Sequence, residues 1–306
     1  MKVIFFGLGS IGKRHLKNIR SIAAERNLTL EVHAFRSSKK TEASFTDIKM
    51  IFEAESLDDD YDVAFITNPT ALHFDTLLLI QNKAKYFFVE KPLFERIYDL
   101  SPFISVKNQY YIAAPLRYKG VMTHVKEILA VEKVLHARIM CSSYLPNWRA
   151  GDDYRTSYSS DPSLGGGIEL DCIHELDYTI HLFGLPKKHH SMMGKVSSLE
   201  IQSNDSANYL LEYDDKFIEV HVDYFGKFPK RTMELITDKD RWEIDFYNDE
   251  VASAESGKTY SYKEDANGMY MSEMLYFLDE VMQGKENKNN LEYAAAVLEI
   301  AKENDA

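Results

Sequence analysis

The chain has 306 residues, of which 45% are hydrophobic and 27% charged, a composition that supports folded domains with buried cores and excludes a largely disordered polymer. Its formal net charge of -12 leaves no surplus of Lys and Arg to neutralise phosphates, which argues against a nucleic-acid partner. Its two cysteines, Cys141 and Cys172, match no metal-ligand spacing and make no disulfide framework, so no metal is expected and a reducing compartment is.

Met1 runs directly into "KVIFFGLGSIG", a strand entering a turn rather than the longer apolar core and cleavage site of a signal peptide. No segment approaches the ~18 consecutive apolar residues of a membrane span. A soluble cytoplasmic protein without a membrane partner is the expectation.

The run "KVIFF" has the apolar, β-branched and aromatic character of a strand buried on both faces. Gly7, Gly9 and Gly12 follow with Ser10 and Ile11 between them, and "KRHLKNIRSIAAER" continues at helical spacing. In a strand–turn–helix unit, Gly7 permits the tight turn, Gly9 lets backbone approach a pyrophosphate, and Gly12 lets helix pack on strand. The free N–H groups of the helix then face the phosphates. The alternative is a tight turn in another α/β protein.

A second strand, "LTLEVHAF", ends in "RSSKK", and Glu31 falls too early to hold a ribose 2′-hydroxyl. Arg36 and Ser37, with Lys39 nearby, suit a 2′-phosphate instead, which favours NADP over NAD. A solvated basic turn that accepts either cofactor is the other reading.

Next, "DVAFIT" reads as a strand, Asn68-Pro69 ends it, "ALHFDTLLLIQN" is helical, and "YFFVEKP" is a further strand. This alternation predicts right-handed crossovers in a parallel sheet, with ligands bound beyond the carboxyl ends of its strands. Thr67, Asn68 and Pro69 occupy one such end and Glu90-Lys91-Pro92 another. Lys91 is placed to hold or polarise a substrate oxygen.

After Val121 the pattern changes to an amphipathic helix, "GVMTHVKEILA", and a strand, "VLHARIMCSSYL". Tyr144 to Leu164 is a long polar segment carrying Trp148, Arg149, Asp153, Tyr154, Arg155 and Tyr158. Loops of such length in compact domains are commonly functional, and aromatic faces with Arg forks suit a sugar ring or a phosphate. An ordered surface loop is the plain alternative. "GGGIELDCIHELDY" then brings Asp171 and His174 one turn apart on a predicted helix. "ANYLLEYDDKFIEVHVDYFG" and "KRTMELITDKDRWEIDFYND" alternate as antiparallel strands, and "SEMLYFLDEVMQG" and "LEYAAAVLEIAKEN" are final helices, the first stopped by Gly284.

Five stretches, "GLGSIGKRH", "ITNPTALH", "EKP", "APLRYKG" and "GGGIELDCIHELDY", resemble the Gfo/Idh/MocA oxidoreductases, the glucose–fructose oxidoreductase and inositol dehydrogenase family, in order and spacing. "SYLPNWRAGDDYRTSYSSDPSLGGG" looks like a branch found with bacterial surface-polysaccharide or nonulosonic-acid sugar pathways. The resemblance implies an α/β fold: a Rossmann domain over residues 1–118, then residues 119–306 as an α+β domain with a large open, mostly antiparallel sheet. The final helix is expected to pack back on the first domain, and the sheet to build a homodimer or homotetramer.

It further implies a bound NADP or NAD and a small sugar-type or polyol substrate. By position, Lys91, Asp171 and His174 become the catalytic group, with His174 as general base and Lys91 at the developing alkoxide. Gly7, Gly9, Ser10, Ile11, Gly12, Arg36, Ser37, Thr67, Asn68, Pro69, His73, Glu90 and Lys91 become cofactor contacts. Arg117, Trp148, Arg149, Tyr154 and Arg155 join Lys91, Asp171 and His174 as substrate contacts. The family spaces its acid four residues before the histidine and this chain has three, so Asp177 is the alternative acid. Other functions of the same scaffold are a cofactor-retaining epimerase or glycosidase-like enzyme with transient redox, and a non-catalytic cofactor-binding regulator.

Overall fold

Strand β1 (Lys2–Phe6) leads through the glycine turn into helix α1 (Ser10–Glu25), and the chain then builds β2 (Glu31–Phe35), β3 (Lys49–Ile51), β4 (Tyr61–Ile66), α2 (His73–Ile80), β5 (Ala84–Val89), the short α3 (Ser101–Ile104) and β6 (Gln109–Ile112). A computed structural model describes residues 1–36, 46–104, 109–149, 151–285 and 287–303. Ser37 and Lys39 lie outside these residues.

The chain divides into two compact units, residues 1–113 with 270–295 and residues 114–269 with 296–306. In the first, the described strands form a six-stranded sheet ordered β3-β2-β1-β4-β5-β6, every neighbouring pair parallel. Parallel sheets need crossover connections that cover both faces, and the strands here are apolar almost throughout, as that burial demands. Val3, Phe5, Val63, Phe65 and Phe88 are fully buried, with Phe5 stacked on Phe65 at 4.4 Å between ring centroids.

The second unit opens with α4 (Gly120–Val131) and β7 (Val134–Tyr144), crosses a run of short 3₁₀ turns between Leu145 and Leu164, and reaches α5 (Ile168–Asp171) and α6 (His174–Phe183). The strands β8 (Lys188–Gly194), β9 (Ser206–Glu212), β10 (Phe217–Asp223), β11 (Phe225–Thr237), β12 (Arg241–Asp245), β13 (Glu250–Ser253) and β14 (Thr259–Ser261) follow. With β7 these described strands make an eight-stranded sheet, ordered β14-β13-β12-β11-β7-β10-β9-β8, antiparallel except where β7 pairs with β10. One face carries Ala137, Ile139, Cys141, Tyr209, Leu211, Ile218 and Val220, all buried. On the other, Met192, Leu210 and Phe217 stay exposed among charged residues, the alternation of a sheet covered on one side. The fold is therefore the one expected: a Rossmann-type parallel sheet and a large, mostly antiparallel second sheet.

Helix α7 (Gly268–Tyr276) and the wider turn that follows it return the chain to the first unit, where Met274, Phe277, Leu278 and Val281 join the core formed by Phe65, Phe88 and Tyr111. Gly284, in the left-handed region at φ 72°, lies just beyond. The last helix, α8 (Leu291–Lys302), carries the chain into its closing residues. Among the described residues no helix is long and apolar enough to cross a membrane.

Candidate active site

In the first unit a cleft of about 500 Å³ is lined by Gly7, Leu8 and Gly9, by Phe35 and Arg36 at the end of β2, by Asn68 and Pro69 after β4, and by Leu72, Asp75, Thr76 and Leu79 beside them. Each glycine has its own reason to be there. Gly7 adopts φ 97°, and a Cβ on it would meet the Thr67 carbonyl oxygen at 2.7 Å. On Gly12 a Cβ would come within 2.3 Å of the Gly7 carbonyl oxygen, so helix and turn touch here because Gly12 has no side chain.

Gly9 is different. A Cβ there would meet nothing within 4 Å among the described residues, and Gly9 caps α1 without any side-chain hydrogen bond. The open space over the helix N-terminus is the space a pyrophosphate requires.

Two buried polar atoms along this cleft have no partner among the described residues: Arg36 Nη1 and Asn68 Oδ1. Buried donors and acceptors ordinarily find a partner, so both fit contacts to a bound dinucleotide. Thr67 Oγ1 instead donates to the Gly7 carbonyl at 2.6 Å and holds the turn from the side of β4. His73 is buried, with its ring nitrogens 3.0 Å from the Leu93 and Asn68 carbonyl oxygens, and burial drives its pKa down. Its contacts are to the loops that flank it.

Glu90 and Lys91 follow β5 directly, and the Lys91–Pro92 peptide bond is cis. His15 Nε2 lies 2.5 Å from Glu90 Oε1, with the imidazole fully buried and packed on Phe88. Burial pushes the Glu90 carboxyl up, but the His15 hydrogen bond and the charges of His15 and Lys91 hold it below the usual value. His15 carries no motif signal of its own; only its place in "GLGSIGKRH" hinted at a role.

The second unit has a cavity of about 360 Å³ lined by Asp171 and His174, with Trp148, Lys227, Arg231 and Tyr247 among its other walls. The predicted helix through this stretch is broken. Helix α5 ends at Asp171, Cys172 takes φ -103° and ψ 31°, and α6 begins at His174. Leu170, Asp171, Cys172 and Ile173 are all buried. A segment buried on every side has no solvent face to enforce one helical period, and the chain turns tightly instead, with Ile173 bonded back to Leu170 and Glu175 to Cys172. Gly167, at φ 137°, admits the chain to α5 where other residues would be strained.

Asp171 accepts a hydrogen bond from Tyr224 at 2.5 Å and another from Tyr158. Burial and the neighbouring Asp171 charge push both phenols up, so they remain donors. His174 is only half-buried. Behind the cavity the buried Glu175 pairs with Arg231 at 2.8 Å, and Glu175 keeps that guanidinium cationic although burial opposes the charge.

The other predicted substrate residues separate. Trp148 lines the cavity, donates to Ser143 Oγ at 3.0 Å and packs edge-on against Tyr224. Arg149 lies over the Tyr158 ring, 5.4 Å from its centroid. Arg117 is buried and bonded in a bidentate pair to Asp177, at 2.6 and 2.8 Å, with His181 beside it. Arg155 is exposed and pairs with Asp153 and Glu200, while the Tyr154 hydroxyl accepts from the Glu200 amide. Neither Arg155 nor Tyr154 lines the cavity that holds His174. Tyr224, Glu175 and Arg231 escaped the sequence reading, because no motif marks a tyrosine between strands or an arginine in one.

Residues 1–106 match the model of an oxidoreductase family with an NAD-binding Rossmann fold, Gfo/Idh/MocA. The match covers about the first third of the chain, the part that carries the parallel sheet. The glycine turn, the Asn68-Pro69 turn and the Glu90-Lys91-Pro92 segment all fall inside the Gfo/Idh/MocA match.

Solved structures extend the likeness over both units. A levoglucosan dehydrogenase in complex with NADH and levoglucosan is 16% identical with a TM-score of 0.82, over 98% of this chain and 95% of that one. An NAD-binding oxidoreductase from Klebsiella pneumoniae is 12% identical with a TM-score of 0.82, over the same shares of the two chains. Myo-inositol 2-dehydrogenase from Lactobacillus plantarum is 17% identical with a TM-score of 0.76, over 99% and 95%. At such identities the likeness is one of fold. No curated protein matches the chain.

Proposed function

We propose that this chain is an NAD(P)-dependent dehydrogenase or reductase acting on a hydroxyl-bearing carbon of a sugar, amino sugar, nucleotide-sugar or polyol. The family match gives the oxidoreductase class and the NAD-binding domain. Neighbours that act on levoglucosan and myo-inositol support a sugar or polyol substrate. The observation that carries the reading is that His174 and Asp171 line one cavity of the second unit, its walls polar and aromatic.

Residues 1–118 are assigned to the cofactor and 119–306 to substrate and oligomerisation. When bound, the nicotinamide supplies the hydride chemistry. His174 takes the proton of the substrate hydroxyl, since an imidazole titrates near working pH. Lys91 stabilises the oxygen as it gains negative charge. Asp171, fixed by two phenols, orients the substrate or the imidazole. Arg36 favours NADP, its orphaned Nη1 being the donor a 2′-phosphate would take. The protein works in the cytoplasm as a homodimer or homotetramer, a state supported by Met192, Leu210 and Phe217 exposed on one sheet face.

A panel of sugars, amino sugars, nucleotide-sugars and polyols, assayed with NADP and NAD at the nicotinamide absorbance band, tests this. At least one compound is expected to drive net reduction or oxidation. Substrate conversion without net change at that band would replace the reading with transient redox on a retained cofactor.

A further inference from the structure

Cys141 and Cys172 are the two cysteines of the chain. Both are buried and free, and their sulfurs lie 3.6 Å apart. We propose that Cys141 and Cys172 form an oxidisable dithiol in the wall of the second unit's cavity, which a small peroxide converts to an intrachain disulfide.

Three observations carry the proposal beyond two cysteines packed side by side. First, both residues line the 360 Å³ cavity, which gives a small oxidant a route to otherwise buried sulfur. Second, the register of β7 against β11 sets Arg231 directly across from Cys141, and the guanidinium donates to Cys141 Sγ at 3.3 Å. A cation in contact with sulfur stabilises the thiolate, the form that attacks peroxide.

Third, the two residues sit on chain of unequal stiffness. Cys141 is on β7, paired on both sides by β10 and β11. Cys172 sits in the break between α5 and α6. A disulfide is about 2.05 Å long, so the sulfurs must approach by roughly 1.5 Å, and the turn can supply that movement.

The chemistry balances without any further reactant. The Cys141 thiolate attacks one peroxide oxygen, the O–O bond breaks, and with one proton taken up the products are Cys141 sulfenic acid and water. The Cys172 sulfur then attacks the sulfenic sulfur, and its proton leaves with the hydroxyl as a second water. Two thiol hydrogens and two electrons pass to the peroxide. Cys172 suits the second role, because its hydrogen bond to Cys141 and its burial keep it a thiol.

A metal is the competing occupant, since Cys141, Cys172 and Glu175 offer ligand atoms within 4.8 Å of one another. Arg231 decides against it. The guanidinium already compensates Glu175 and touches Cys141, so a divalent cation there would face a fixed positive charge.

The test uses the full-length reduced protein exposed to hydrogen peroxide and mapped by peptide mass spectrometry without reduction. The expected result is one linked pair of peptides carrying Cys141 and Cys172, lighter by two hydrogens and separated again by dithiothreitol. Cys172→Ser is expected to stop at a Cys141 sulfenic acid that dimedone traps. Hydrogen exchange of amides in residues 170–176 is expected to change on oxidation and return on reduction.

Two thiols that stay fully alkylatable under peroxide that oxidises the urea-unfolded chain would overturn the proposal. So would sulfinic or sulfonic acid on either residue without a link. If Cys172→Ser does not fold, the wild-type map decides alone, because an intrachain disulfide in this chain can only be this one. None of these readings depends on knowing the substrate.

Discussion

Tyr224 donates its hydroxyl to Asp171 Oδ2 across 53 residues of sequence, at 2.5 Å. The phenol is buried at the junction of β10 and β11, and its own amide bonds the Asp205 carbonyl, so the donor is fixed from the sheet side. The acid beside His174 is therefore positioned by the strand scaffold. Tyr224→Phe removes the donor while keeping the ring. We expect a loss of about 1–3 kcal/mol in unfolding free energy, the range for leaving a buried polar group short of a partner. Denaturant unfolding reads it. A variant as stable as the parent would show that Asp171 does not need this bond.

The catalytic assignment has a kinetic consequence. His174→Ala and Lys91→Ala should each lower turnover by ~10²-fold or more, the scale of general acid–base and charge-stabilising groups. His174→Ala should keep its affinity for NAD(P)H, measured by nicotinamide fluorescence. Full turnover in either variant removes that residue from the mechanism.

The glycines separate fold from cofactor. Gly12→Ala pushes a methyl to within 2.3 Å of a backbone oxygen, and overpacking of this kind costs about 1–3 kcal/mol. Gly9→Ala meets nothing within 4 Å among the described residues, so its unfolding free energy should hold while cofactor affinity falls. Thermal unfolding with and without cofactor distinguishes the two. Equal stability loss at both positions would contradict the geometry.

Much of the first unit was legible in the sequence. Consecutive strand, glycine turn and helix are local patterns, and the physics that selects them acts over a few residues. The strands β3 and β6 were missed, being only three and four residues long. In the second unit the alternation of apolar and polar residues marked the hairpin strands, because one sheet face is covered and the other is not. The broken helix at Cys172 was not legible, because a fully buried segment carries no amphipathic period. Nor were the partnerships that shape the cavity. Tyr224 with Asp171, Arg231 with Glu175 and Cys141 with Cys172 arise from strand register and sheet order, which no local window contains. His15 with Glu90, 75 residues apart, is the same case in the first unit.

Cofactor preference should follow Arg36. Hydrogen bonds to charged groups contribute about 1.5–3 kcal/mol, so Arg36→Ala should weaken NADPH by roughly ten- to a hundredfold and leave NADH nearly unchanged. Paired titrations with the two cofactors measure this. An equal loss for both would assign Arg36 to the shared adenosine, and no loss would make it a solvated end of β2.

Glu90 gives the pH dependence. Its carboxyl is held below the 4.5 of a free glutamate by His15, against the push of burial. The folded state thus binds a proton at this group less readily than the unfolded chain. The stabilisation is fully present above about pH 4.5, the unfolded value, and fades as pH falls through the lower folded value. Wild-type melting temperature should accordingly decline as the medium is acidified below that point. Glu90→Gln cannot ionise, so it should be less stable at neutral pH and lose less on acidification, and the difference between the two proteins should shrink at low pH. A difference that stays constant from pH 7 to pH 3 would show that the His15 bond does not depend on the charge of Glu90.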